Sequence, residues 1–435
     1  MELSRRHALT GAAALAAAAG FGPQPARAQL TPGKPFAGQT VKVMVVRASQ
    51  YAAQAKRLPA FEAETGIKVQ FIDVPFAALR EKLTAEMVAG SADFDLATIM
   101  DVWIPPLVDT YLMPVGAEMK KRGIDPFARY PRPFLHAGLY KNDVYGLPTR
   151  CHIQLMFYRK DVFDELGLSA PRSWEETIAA ALRIQEKTKL AGISIPYGRL
   201  AGQNLMVWYN FLWGAGSDLF DDKMQPMFNN AAGLQATQDY VDLHIKYKIT
   251  PTGAASFNEG DATTSMVQGN SAMNPVWWHV YNRYAMKDAA IGLDKIGFVP
   301  LPSYRGAAPT TYTNSWIYGV NKNSKVKNAA MEFLAWVSDP AIERSILVDP
   351  AENDVVCTQW SNLRDPDVGK RFRGMHAIAA EALEKTKNAI PMIPQFLPCV
   401  DVMEVAVNNI VTGQAKVPEA MNAAAAQVAR IMRRG

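Results

Sequence analysis

Apolar positions in the first hundred residues switch repeatedly between a period of two and a period near 3.6. Val41 to Val46 reads as a strand, Ala52 to Thr65 as a helix stopped by Gly66, and Ile67 to Val74 as a second strand. Leu79 to Ala89 then reads as a helix stopped by Gly90, and Phe94 to Met100 as a third strand. This rhythm predicts an α/β fold with a mostly parallel sheet, right-handed crossovers and helices on both faces. Such sheets bind ligands beyond the carboxyl ends of their strands. The segments placed there are Arg47 to Tyr51, which includes Gln50, then Pro75 to Phe76, and Asp101 to Trp103.

A second pattern organises the rest of the chain. The run Gly146 to Asp161, GLPTRCHIQLMFYRKD, has the apolar continuity of a buried strand, yet Arg150 and His152 stand in its first residues. A guanidinium entering a buried strand needs a polar partner. The segment is therefore expected to cross from one globular lobe to another, its polar start facing the cleft between them. Length agrees, because 435 residues exceed what one hydrophobic core usually supports.

The beginning of the chain carries Arg5 and Arg6, a soft alanine-rich run from Ala12 to Phe21, and the triplet Ala26-Arg27-Ala28. The run is too short to span a bilayer, so residues 1–28 read as a cleavable, twin-arginine-like export signal and the protein is expected in the periplasm. Without them 43 basic and 40 acidic side chains remain, a net charge of +3 with no basic run, and nothing argues for nucleic acid. Cys151, Cys357 and Cys399 allow at most one disulfide and read more simply as buried thiols. No G-x-S-x-G, P-loop, H-E-x-x-H or G-x-G-x-x-G sequence occurs.

Several blocks share one resemblance. LPAFEAETGIKV followed by LREKLTAEMVAGSADFDLATIMDVWIPPLVD, then GLPTR, SMVQGNSAMNPVWW, GFVPLPSYRG and SWIYGVNKNSKVKNAAMEFLAWVSDP resemble, in order and spacing, the family 1 extracellular solute-binding proteins that serve ABC importers of sugars, the maltose-binding-protein-like group. The resemblance runs from Val41 to Ile431. It implies a two-lobed type II periplasmic binding protein, each lobe a mostly parallel sheet flanked by helices. The lobes would be 40–149 with 314–358 and 153–311 with 362–435, joined by strands near 149–153, 311–315 and 356–362. It further implies a monomeric receptor without cofactor or metal, whose partners are a carbohydrate or polyol ligand and permease subunits in the inner membrane. One departure stands out. In the third crossing the family commonly has an arginine two residues after a proline, whereas Cys357 and Gln359 occupy those positions here, which puts an acidic or phosphorylated ligand in doubt.

A polyhydroxy ligand offers C–H faces and a fringe of hydroxyls, so its receptor needs aromatic plates together with carboxylates, amides and guanidinium groups. Asp101, after a buried strand, is the candidate acceptor of two hydroxyls, or else a cap for the turn that follows. Trp103 either stacks on ligand or plugs its lobe. Arg150 belongs to the cleft, while His152 reads as a satisfied core histidine. Of the adjacent pair Trp277 and Trp278 only one can face the cleft, whereas Asn314 and Trp316, two apart, share a face. Gln50, Gln203 and Gln359 complete the candidates. Oligosaccharide, monosaccharide and sugar alcohol remain open as ligands. The alternatives are a secreted carbohydrate-active enzyme, with Asp101 paired to Glu259 or Asp261, and a receptor for a non-sugar solute.

Overall fold

The computed structural model describes residues 27–105, 107–386 and 390–433, so nearly all of the expected export signal lies outside the described residues. Nine strands are present among them: β1 Thr40–Val46, β2 Lys68–Val74, β3 Leu96–Met100, a small hairpin of β4 Leu139–Tyr140 and β5 Asp143–Val144, then β6 Gly146–Arg159, β7 Met273–Trp277, β8 Ile296–Pro300 and β9 Thr313–Val320. The large sheet runs β2-β1-β3-β9-β6-β7, with β8 also paired to β6.

Only β1 runs parallel to its neighbours β2 and β3; β9 is antiparallel to β3, and β6 is antiparallel to β7, β8 and β9. The expectation of a mostly parallel sheet in both lobes is thus corrected to a mixed sheet. Helices cover β6 to β8 on both faces, so these strands carry the continuous apolar runs usually associated with parallel sheets. The expected helix from Ala52 to Thr65 is likewise two helices, Ser49–Ala55 and Leu58–Thr65. Pro59 explains the break, since it is tolerated in a first turn but not inside a continuous helix.

Apolar burial separates the molecule into a first lobe and a second. Val43, Phe61, Leu96, Ile99, Leu147, Ile317 and Phe333 belong to one cluster around β1, β3 and β9. The sheet of β6, β7 and β8 has a core on each face. Met156 and Met273 point into one with Trp208, Tyr240 and Met403, while Leu155, Phe157 and Val276 point into the other with Trp278 and Met375. The final helices, Phe396–Val411 and Val417–Arg433, pack into the first of these two cores.

Strand β6 joins the lobes. Its first half, Gly146 to Ile153, pairs with β9, and its second half, Gln154 to Arg159, pairs with β7 and β8. The register slips between Pro148 and Arg150, leaving Thr149 as the extra residue of a bulge. Proline is at home there, having no N–H to give to a ladder. Because Pro148 pairs with Ile317 and Arg150 with Trp316, the bulge turns Arg150, His152 and Gln154 onto the face shared with Trp316, Asn314 and Trp277. Cys151 and Ile153 face an apolar core instead.

The segment 356–362, expected as a third crossing strand, contains no strand. It is irregular as far as the short helix Trp360–Leu363. A side chain takes the place of a ladder: the Glu343 carboxylate accepts the Thr358 N–H at 2.7 Å, the Thr358 hydroxyl at 2.5 Å and the Asn362 amide at 2.7 Å. Apolar contacts pass from the first lobe to the second between Val337 and Leu347. All three cysteines are free and buried.

Close backbone approach where β6 enters the sheet accounts for Gly146. A β-carbon there would stand 2.5 Å from Ile317 Cδ1 and 2.7 Å from the Tyr318 carbonyl oxygen. Gly146→Ala is expected to cost about 1–3 kcal/mol, read as a lower urea midpoint with an unchanged m-value.

Candidate functional site

The polar face of β6 opens where the lobes meet. Arg150 is only partly buried, and among the described residues its guanidinium has no hydrogen-bond or ion-pair partner. Its charge acts on Tyr51 from the helix after β1, on His152, on Glu259 and His279 of the second lobe, and on Asp354 ahead of segment 356–362. Five groups from separate elements therefore surround one free cation.

His152 is not the satisfied core histidine expected. Both of its ring nitrogens are buried without a partner, and its ring centre lies 4.8 Å from His279 and 6.0 Å from Trp277. Burial drives the His152 pKa well below its usual value, helped by Arg150 and His279. Burial and then Arg150 push His279 down to about 3. Two neutral imidazoles thus stand beside the arginine, and His279 Nε2 lies 3.9 Å from Glu259 Oε1. Burial pushes the Glu259 carboxyl up to about 7 against the opposing Trp277 hydrogen bond and Arg150 charge. Asp354 is raised by burial to about 6; its Oδ1 accepts the Val356 N–H at 3.0 Å, while Oδ2 has no partner.

Asp101 has a different task from the one expected. Oδ1 accepts the Val102 N–H at 2.7 Å and the Asn314 amide at 2.9 Å, and Oδ2 accepts the Ser315 N–H at 3.0 Å. It ties the end of β3 to the start of β9, and burial pushes its carboxyl up to about 7 despite those donors. The Asn314 amide is engaged in the same tie, and its side chain also hydrogen-bonds Tyr312. Trp103 and Trp316 are plugs of the first lobe: they meet edge to face at 5.3 Å, with the exposed Phe76 stacked on Trp103 at 5.7 Å.

Of the tryptophan pair, Trp278 is core. It is fully buried against Phe134 and His376, and its indole N–H donates to the Cys151 carbonyl at 3.1 Å. Trp277 faces His152 and Glu259 and lies 5.3 Å from Tyr312. Gln203 acts at one remove, accepting the Glu259 N–H at 2.8 Å at the start of helix Glu259–Val267. Asn258 and Asp261 close a capping box on that helix, which makes Asp261 structural. Gln50 donates its amide to the Thr149 carbonyl, and its Oε1 stays buried without a partner, as does Oε1 of Gln359.

The structure therefore gathers Arg150, Trp277, Gln50 and Gln359, leaves Asn314 and Asp101 as a tie beside them, keeps Trp316 opposite Arg150 in the ladder but packed into the first lobe, and sets Trp103, Trp278 and Gln203 apart. Tyr51, His279, Tyr312 and Asp354 were missed. Tyr51 adjoins Gln50 and His279 follows the tryptophan pair, so both stood next to a visible signal. Asp354 had none. Among the described residues no group of His, Cys, Asp or Glu is placed to hold a metal ion, and no helix is long and apolar enough to cross a membrane.

Residues 45–343 match the family described as bacterial extracellular solute-binding protein. The chain belongs to that family. This solute-binding protein is 24% identical over 355 residues to a probable amino-acid ABC transporter periplasmic-binding protein of Sinorhizobium fredii, spanning 80% of this chain and 79% of that one. It is 23% identical over 350 residues to a mannitol-binding protein of Pseudomonas aeruginosa, spanning 78% and 76%. Its fold is similar to that of an ABC transporter solute-binding protein of Agrobacterium radiobacter K84 solved with ribitol, with a TM-score of 0.76, 22% identity and coverage of 91% and 100%. The architecture is the two-lobed α/β one of periplasmic binding proteins.

Asp101→Ala is expected to leave the Ser315 N–H and the Asn314 amide without acceptors, at a cost of about 1–3 kcal/mol read by urea unfolding. The raised carboxyls give a pH signature. Glu259 holds its proton up to about pH 7 when folded but only to about 4.3 when unfolded, so its contribution is full at low pH and is lost as pH rises through that window. The buried histidines slope the opposite way. The melting temperature of Glu259→Gln relative to wild type is therefore expected to rise between pH 5 and 8 by differential scanning calorimetry.

Proposed function

We propose that the protein is the solute-binding component of an ABC importer, carried to the periplasm by its cleaved twin-arginine-like signal. As a monomer, it captures a neutral polyhydroxy compound between its lobes and passes it to permease subunits in the inner membrane. The observation that carries this reading is the free guanidinium of Arg150, set among partnerless polar atoms contributed by separate elements of both lobes. Five N–H donors in a planar fork suit two neighbouring hydroxyl oxygens. Neutral His152 and His279 each offer one donor and one acceptor, Glu259 adds an acceptor, and Trp277 offers a ring face. The mannitol-binding relative and the ribitol-bound neighbour support a sugar alcohol or monosaccharide, with oligosaccharide as the larger variant.

The lobes move about the crossings near 149–153 and 311–315 and the stretch between Val337 and Leu347, with 40–149 and 314–337 on one side and 153–311 and 347–433 on the other. Ligand favours the closed form by its differential affinity for closed over open. A second reading is an amino acid, its carboxylate on Arg150 and its ammonium on Glu259 or Asp354; the name of the Sinorhizobium fredii relative favours it. The partnerless amide oxygens and neutral imidazoles suit hydroxyls better. A glycosidase reading loses ground because the carboxylates of Asp101 and Asp261 each accept a backbone N–H, from Ser315 and Asn258 respectively.

A thermal-shift panel of sugar alcohols, hexoses, maltose and amino acids tests the reading, since a compound that binds only the native state raises the melting temperature. Ribitol, mannitol or a hexose is expected to stabilise, and stabilisation by amino acids alone would replace this reading with the second. Arg150→Ala is expected to weaken the best compound by about 1.5–3 kcal/mol in calorimetry.

A further inference from the structure

Beside Arg150 lies a small cavity of about 20 Å³ where the helix after β1, the bulge of β6 and the segment ahead of 356–362 converge. Its walls include several polar groups that are already satisfied. Gln54 accepts the Tyr318 hydroxyl at 2.6 Å, and the Glu343 carboxylate is filled by Thr358 and Asn362. What remains is one-sided. Gln50 Oε1, Asp354 Oδ2 and Gln359 Oε1 are buried acceptors without partners, while the Thr149 hydroxyl beside them meets the Tyr51 and Tyr318 hydroxyls. These four residues are between 1% and 5% exposed. They come from three places in the fold: the helix after β1, the bulge of β6, and the irregular stretch that holds both Asp354 and Gln359.

A buried acceptor left empty costs about 1–3 kcal/mol, so a cluster of them marks a place where something brings hydrogens. The volume admits one or two water-sized groups. A carboxylate or phosphate brings only lone pairs to meet lone pairs, and Arg150 is not among the lining residues to receive them. A cation meets the charge of Arg150, which acts on Asp354. A hydroxyl-bearing end group satisfies the acceptors without either penalty.

Resting on the polyhydroxy reading above, we propose that this cavity receives the terminal hydroxymethyl group of the ligand, with water in its place when the cleft is empty, and rejects a carboxylate or phosphate at that end. The cavity thereby sets the ligand class as a small neutral sugar or sugar alcohol rather than an aldonic, aldaric or phosphorylated sugar.

Calorimetry on the full chain with three matched series provides the test: ribitol, ribonate and ribarate; mannitol, mannonate and mannarate; glucitol, gluconate and glucarate. Within the series that binds, replacing both end groups by carboxylates is expected to weaken affinity by about 100-fold, while the mono-acid, which keeps one hydroxymethyl end, loses about tenfold or less. Gln359→Arg, which adds donors and charge, is expected to narrow the gap between diacid and polyol by at least about tenfold. Asp354→Asn, which keeps shape and adds a donor, should narrow it in the same direction. Equal binding of diacid and polyol by wild type, or a gap unmoved by either variant, overturns the cavity's role and leaves it a water site. Failure of every sugar, sugar alcohol and sugar acid to stabilise the protein overturns the polyhydroxy reading itself.

Discussion

Fourteen consecutive residues of β6 need hydrogen-bond partners along both edges, and the two halves of the strand find them in different lobes. Backbone pairing of this kind leaves little freedom. The crossing point has to lie where one set of partner strands ends and the other begins, between Ile153 and Gln154, and the side chains that flank it have to lie where the two bodies face each other. On the proposed reading, hinge and binding surface coincide because a single ladder determines both. Arg150 stands on that boundary, partly buried and without a hydrogen-bond or ion-pair partner among the described residues. On the same reading, polar atoms of a ligand supply the partners that the guanidinium lacks, and they reach it from both lobes at once.

Dehydration also sets the electrical character of the cleft. Burial is the leading cause of the shift in His152, His279, Glu259, Asp354 and Asp101 alike, and in each it favours the uncharged form. Apart from the arginine, the region is thus drawn toward neutrality. Recognition then rests on hydrogen-bond direction and ring contact more than on charge pairing, a regime in which sugars and sugar alcohols are discriminated by where their hydroxyls point.

The sequence announced the alternation of strands and helices through Met100, the role of the Gly146 run as a crossing, and the placement of Arg150 in it, because these rest on local periodicity and on the cost of burying a guanidinium. It announced less about Asp101. Which donors meet that carboxylate depends on β9, whose Asn314 and Ser315 lie 213 and 214 residues further along the chain. His152 was misread for a related reason, since its emptiness shows only once Trp277 and His279 are brought against it. Strand direction was hidden because doubly covered antiparallel strands look as apolar as parallel ones. Pro59 carried the information that splits the second helix from the first, and local helical periodicity outweighed it.

The bulge at Thr149 makes the length of this strand a matter of phase. Pro148 and Arg150 stand two residues apart yet pair with the adjacent Ile317 and Trp316, so the extra residue is what shifts the alternation of cleft and core; without Thr149 the two pairs would simply follow one another, and Arg150 and His152 would keep their face. Losing that residue would thus straighten the strand and remove the carbonyl that holds the Gln50 amide, changing the backbone while sparing the order of side chains.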